Sequence, residues 1–216
     1  MTIAVGTRLA LVVLAALLAL PLAPTASPVE AKPRSRTVAR TFRNPAAVNL
    51  AISTSSPVSA TPYPSSISVG GLKRGKIRDV DVRLVGLTHQ VAHEVDVMLV
   101  GPGGQTAILM THVGWVLSAT DATLRLDDEA AVSLPSNAKL QSGHFRPTNA
   151  ASGPVVFNAP APAPGANAAL SVFDGGNPNG TWRLFVQDRI GALSSGSFAG
   201  GWEIEITARV KAKKRR

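Results

Sequence analysis

The side chains that could act as a base or hold a cation are four histidines, His89, His93, His112 and His144, and a scatter of carboxylates. A hydrolytic serine would need a base beside it in a recognisable turn, and no Gly-x-Ser-x-Gly elbow occurs. Ser194-Ser195-Gly196-Ser197 reads instead as a turn before Phe198. His89 closes the run Leu84-Val85-Gly86-Leu87-Thr88, where a hydrogen-bonded framework residue is expected rather than a base. His89 and His93 are four apart and would share a face on a helix, but here they flank a turn between strands, so the helical zinc arrangement does not apply. With no cysteine in the chain, disulfides, thiolate nucleophiles and Cys-ligated zinc are excluded.

The acidic residues offer oxygen chemistry. Asp127-Asp128-Glu129 closes one strand, and Asp96, Asp121 and Asp188 fall at strand or turn positions. Calcium takes six to eight oxygens from carboxylates and backbone carbonyls, and loops between strands supply both. The candidate ligands are Asp96, Asp127 and Asp128. Against this, no EF-hand spacing or Gly-Asp nonapeptide repeat is present, and Asp at a strand end also caps turns or pairs with Arg, as Asp188 could with Arg189 or Arg183.

Strands must position these residues. Apolar residues recur with period two at Ile77, Val80, Val82 and Leu84, and again at Val95, Val97 and Leu99. Turn residues punctuate the chain at Gly70-Gly71, Gly101-Pro102-Gly103-Gly104, Pro147 and Asp174 to Gly180. Further strands are expected at 107–110, 122–126, 182–187 and 202–208, and no window after the N-terminus shows a helical stripe. About eight short antiparallel strands predict an all-β domain, a two-sheet sandwich or jelly roll. The Pro-rich run from Asn158 to Ala169 cannot pair as a central strand and is expected as a surface excursion.

The formal charge of +9 divides unevenly. Residues 44–208 carry 10 Lys and Arg against 12 Asp and Glu, while 32–43 hold five basic residues and 209–216 hold six. Basicity at the ends, without a basic face interleaved with aromatics, argues against a specific nucleic-acid reader. It suits solvated ends or contact with anionic surface polymer or lipid headgroups. Residues 1–31 read as a secretory signal: one early positive charge, an apolar run from Leu9 to Leu22, then small residues and proline. That run falls short of the ~20 residues needed to span a bilayer. Residues 32–65, rich in Pro, Ser, Thr and Arg, are expected as a linker, 66–208 as the folded domain and 209–216 as a basic tail. The expectation is a secreted monomer.

Asn179-Gly180-Thr181-Trp182 is a turn opening a strand, and Trp182, Leu184 and Val186 alternate along it; Trp202, Ile204 and Ile206 repeat the pattern. Together with Thr88-His89, Asp96-Val97, Gly101 to Thr106, Asp127 to Ala130, Leu170, Phe173, Gly175, Asp188 and Gly196, these residues resemble the P domain, or Homo B domain. That domain follows the catalytic domain of kexin- and furin-like subtilisin-type proprotein convertases and of many bacterial secreted peptidases. The resemblance runs from about Ser68 to Ile206, roughly 140 of the 216 residues. It implies a jelly-roll sandwich that packs beside a serine endopeptidase, supports its folding, and tunes its calcium and pH dependence without holding the catalytic triad. The 216 residues contain no Asp-Ser/Thr-Gly, His-Gly-Thr or Gly-Thr-Ser-Met segment of a subtilisin-like domain. The function expected is therefore a non-catalytic binding or stabilising module. Its partner would be a subtilisin-like protease in trans, the cell envelope or a polymer.

Overall fold

The computed structural model describes Thr2 and residues 35–165, 168–191 and 194–211. Apart from Thr2, residues 1–31, expected as a signal segment, lie outside the described residues, as do residues 212–216. Among the described residues, no helix is long and apolar enough to cross a membrane.

Thirteen strands, numbered in chain order, form two sheets. The seven-stranded sheet holds β1 (Ser35–Asn44), β2 (Val48–Leu50), β5 (Lys76–His89), β8 (Ala119–Leu126), β9 (Gly143–Phe145), β12 (Gly196–Phe198) and β13 (Trp202–Lys211). The six-stranded sheet holds β3 (Val58–Ser59), β4 (Ser65–Val69), β6 (Val95–Val100), β7 (Thr106–Thr111), β10 (Thr148–Asn149) and β11 (Gly180–Asp188). Pairing is antiparallel except for the short parallel ladders β8 with β9 and β7 with β10. The architecture is the all-β sandwich expected from the alternation, with more and shorter strands than eight.

Period two explains the core. Trp182, Leu184 and Val186 of β11 and Trp202, Ile204 and Ile206 of β13 are completely buried in one cluster. Each indole N–H finds a partner: Trp182 Nε1 donates to Pro178 O at 3.0 Å and Trp202 Nε1 to Ser65 Oγ at 3.0 Å. Phe173 meets Trp182 edge-on at 4.9 Å between ring centroids.

Strand β6 is buried on both faces. Its second face, with Met98 and Val100 beside Phe185 of β11, is covered by Tyr63, Val155, Phe157 and Ala161. The Pro-rich excursion thus begins as a cover: Asn158 N donates to Gln187 Oε1 at 3.1 Å, and Tyr63 Oη donates to Asn158 O at 2.8 Å.

The linker expected over 32–65 is corrected. Residues 35–44 form β1, paired along all ten positions with β13, and Val48, Leu50 and Ala60 are buried. The folded region therefore already includes Ser35, far ahead of 66, and it includes Lys211, past the expected tail boundary at 209. The reason is that β1 is held by its backbone ladder. Only Val38 and Phe42 pack against the core, so its side chains carry almost no hydrophobic period. Its arginines Arg36, Arg40 and Arg43 sit on a sheet edge, where charge discourages pairing with other chains. Native-state hydrogen exchange should show protection at alternate amides across 37–43, those that face β13; exchange at every one of these positions as fast as an unstructured peptide would remove β1 from the fold.

Candidate functional site

One end of the sandwich gathers the chemistry. His89 closes β5, Glu94 ends a single 3-10 turn (Ala92–Glu94), Asp188 closes β11, and Ser194 leads into β12. The inward aim of His89 comes from a change of phase. Val82 and Leu84 face inward, and continued alternation would bury position 88 and expose 89. The ladder with β8 shifts register between Leu84 and Leu87, and Gly86 sits there with φ of +72°, the left-handed backbone of a bulge. Beyond it Leu87 and His89 are buried and Thr88 is exposed. Gly196 then lets β12 cross the ring: a Cβ at that position would lie 2.4 Å from His89 Cδ2 and 2.2 Å from Thr88 O.

Asp188 Oδ1 accepts from the amides of Ile190 at 2.9 Å and Gly191 at 2.7 Å. Its Oδ2 lies 3.2 Å from His89 Nε2 and accepts from Ser194 Oγ at 2.9 Å. Ser194 Oγ also lies 2.6 Å from Glu94 Oε2. His89 Nδ1 lies 2.9 Å from Val91 O. Asp188, His89 and Ser194 are 0%, 1% and 4% exposed, while Glu94 is half-buried. The residue types of a hydrolytic triad are thus adjacent but in the wrong order. The carboxylate lies between serine and histidine, the serine hydroxyl points to carboxylates, and His89 Nε2 has no hydrogen-bond partner.

His89 has the hydrogen-bonded framework position expected of it. Asp188 caps its turn as expected, but the side chain beside it is the His89 ring; Arg189 turns away, its Nη2 donating to His93 O at 2.9 Å. His93 pairs with His112 across the next loop, ring centroids 5.0 Å apart, and burial followed by the charge of Arg189 lowers the pKa of both imidazoles. Glu94 was not signalled by the sequence: its side chain reaches the cluster only because a short turn follows the β5 end.

The three carboxylates proposed for calcium do not meet. Asp96, on β6, accepts from Thr111 Oγ1 at 2.5 Å and from Gln187 Nε2 at 3.4 Å; burial raises its pKa, opposed by these hydrogen bonds. Asp128 accepts from the Leu170 and Ser171 amides at 2.9 and 2.8 Å, capping the 3-10 turn Leu170–Phe173. Asp127 accepts from the Glu129 amide at 2.8 Å and lies 2.6 Å from His144 Nε2. Their oxygens are committed to separate local roles, and a shared calcium shell of Asp96, Asp127 and Asp128 does not fit them. Among the described residues, the one group of three His or acidic side chains whose ligand atoms lie within 4.8 Å of one another is His89, Glu94 and Asp188.

A groove of about 570 Å³ lies elsewhere, on the seven-stranded sheet. Five of its charged side chains pair with one another: Arg125 with Asp81 at 2.6 Å, and Arg43 and Arg83 with Glu203 at 3.5 and 3.8 Å. The loops beside the buried cluster expose apolar side chains instead. Trp115, Val116 and Leu117 are 51%, 63% and 43% exposed, and Ile190 is 44% exposed. The loop is fixed from behind, with Ala92 N donating to Leu117 O at 3.0 Å and His93 N to Trp115 O at 3.2 Å. Trp115 holds φ of +53°, rare for a bulky residue.

No family model and no curated protein matches the chain. Two solved structures show likeness. A serine protease of Aeromonas sobria aligns over 81% of this chain and 27% of its own length, with 16% identity and a TM-score of 0.36. A chain in the complex of that organism's serine protease with its chaperone aligns over 84% and 28%, with 15% identity and a TM-score of 0.37. The chain spans little more than a quarter of each, and at these values the likeness carries no argument about function.

The Asp127–His144 pair makes an acid-dependence prediction. Burial opposes ionisation of Asp127, but the Glu129 amide, the Glu129 side chain and His144 outweigh it, so its pKa falls below the ordinary value. A depressed folded-state pKa contributes stability above the unfolded value of about 3.9, lost as pH falls through the folded value. The stability gap between the protein and Asp127→Asn, read by chemical denaturation, should close below about pH 4. A gap unchanged down to pH 2 would refute it.

Proposed function

We propose that this protein is a secreted, non-catalytic binding module that associates with a subtilisin-like serine endopeptidase and stabilises it. The observation that carries this reading is the Trp115-Val116-Leu117 loop: three adjacent apolar side chains held in solvent on a strained, well-anchored backbone. Exposed apolar groups on a fixed loop lose little conformational entropy on docking and mark a protein-binding surface. The resemblance of residues 68–206 to the P domain supplies the class of partner. The buried Ser194, which donates to carboxylates and is not hydrogen-bonded to His89, supports a module without a serine nucleophile.

Incubating the purified protein with a subtilisin-like serine endopeptidase should lengthen the half-life of the protease several-fold at elevated temperature. Replacing Trp115 and Leu117 together by serine should weaken that association by about 30-fold or more, the scale of losing a binding hot spot, with the fold intact by circular dichroism. An unchanged protease half-life with the unmodified protein would end this reading. A fluorophosphonate probe should leave the protein unlabelled; labelling at Ser194 would establish an active serine.

The basic edge favours a second partner chemistry. Arg36, Arg40 and Arg43 of β1 and Arg209 and Lys211 of β13 lie on one two-strand border of the sheet. An anionic envelope polymer would bind there with affinity that falls steeply between low and high salt, since exposed charges are screened. Retention on such a polymer that does not weaken with salt would exclude this edge.

A further inference from the structure

We propose that His89, Glu94 and Asp188 form a binding site for a divalent first-row transition-metal cation of the zinc or manganese type, with Ser194 orienting the two carboxylates. The inference is independent of any protease partner. It begins with an atom that lacks an explanation: His89 Nε2 is buried and has no hydrogen-bond partner, although it points at a carboxylate 3.2 Å away. A buried ring nitrogen left in that state is costly unless something takes its lone pair or its proton.

The Nδ1 contacts admit two tautomers. His89 Nδ1 either accepts from Val91 N at 3.2 Å or donates to Val91 O at 2.9 Å, and the shorter contact is the one made by a proton on Nδ1. With the proton on Nδ1, the ring donates to Val91 O and Nε2 presents a free pair to Asp188. A backbone carbonyl behind the ring is the usual outer support of a metal-ligating histidine.

The oxygens pose a matching problem. One Ser194 hydroxyl hydrogen faces two carboxylate oxygens, at 2.6 Å from Glu94 and 2.9 Å from Asp188. It satisfies one of them, so the other contact sets two electron-rich oxygens together in a buried setting. A divalent cation among His89 Nε2, Asp188 Oδ2 and a Glu94 oxygen relieves both difficulties and balances the two negative charges.

Dimensions agree. Ligands about 2.1 Å from a tetrahedral ion stand about 3.4 Å apart, and the His89–Asp188 separation is 3.2 Å. The full set lies within 4.8 Å, so binding needs a modest inward swing of Glu94, the half-buried member. One imidazole with two carboxylates suits zinc or manganese, whereas calcium and magnesium prefer oxygen alone.

The test uses the full chain, treated with chelator and then dialysed against zinc, manganese, calcium or magnesium chloride. About one zinc or manganese per chain should remain by elemental analysis, with a Tm raised on the order of 5 °C and returned by chelator. Calcium and magnesium at equal concentration should leave Tm unchanged. Glu94→Gln, at a half-buried position, should fold and lose at least about tenfold in metal affinity, and Ser194→Ala should weaken binding less. His93→Asn with His112→Asn should keep the full response, which separates this site from the neighbouring histidine pair. No retained metal and no Tm shift would reduce the cluster to a buried His89–Asp188 contact and overturn the proposal. So would retention unchanged in Glu94→Gln, or a response to calcium alone.

Discussion

Strand β5 governs the molecule, because it pairs with β13, β12 and β8 and carries a bulge at Gly86, close to its C-terminal end. Up to Leu84 its inward residues fill the core between the sheets. After Gly86 the same strand turns the opposite parity inward, and a polar ring takes the place of an aliphatic side chain. The backbone does this at one residue whose lack of a Cβ allows positive φ. The closeness of Asp188, Ser194 and Glu94 to a buried imidazole follows from that one shift, since β11 and β12 fall beside the end of β5 through pairing with β6 and β5.

Burying this cluster is expensive in isolation. Removing a carboxylate from water costs several kcal/mol or more unless hydrogen bonds replace the lost hydration. The fold supplies two backbone amides to one oxygen of Asp188 and leaves the other to a hydroxyl and an imidazole edge. Half of the carboxylate is thus answered by rigid dipoles and half by groups that can rearrange. Rigid sheet ends surround it, while the apolar loop of Trp115 to Leu117 projects outward from the same end. Chemistry inside and contact outside share one support.

The sandwich was legible because alternation of Trp182, Leu184, Val186 and Trp202, Ile204, Ile206 is a statement about which face meets the core. β1 was not, since a strand held by its ladder and decorated with arginine looks like a polar linker until its partner is known. The covering role of residues near Phe157 was hidden for a related reason: proline removes a segment from the ladder without removing it from the packing. At the site, His89 and Asp188 were visible as residues at strand ends. Their meeting was not, because alternation extrapolated through Gly86 points His89 outward. The expected carboxylates Asp96, Asp127 and Asp128 share composition with a cation site, but each is answered locally, which spacing alone does not reveal.

The long β1–β13 ladder has a mechanical meaning. Ser35 stands opposite Lys211, and Asn44 opposite Trp202, so the two described ends of the domain leave from the same corner of the sheet. A load applied between them would peel the antiparallel ladder pair by pair from that corner, breaking few hydrogen bonds at a time. Pulling along the strands would strain all ten pairs at once. A tether at both ends would therefore open this border at low force while the interior held, baring the flank of β13 before the core.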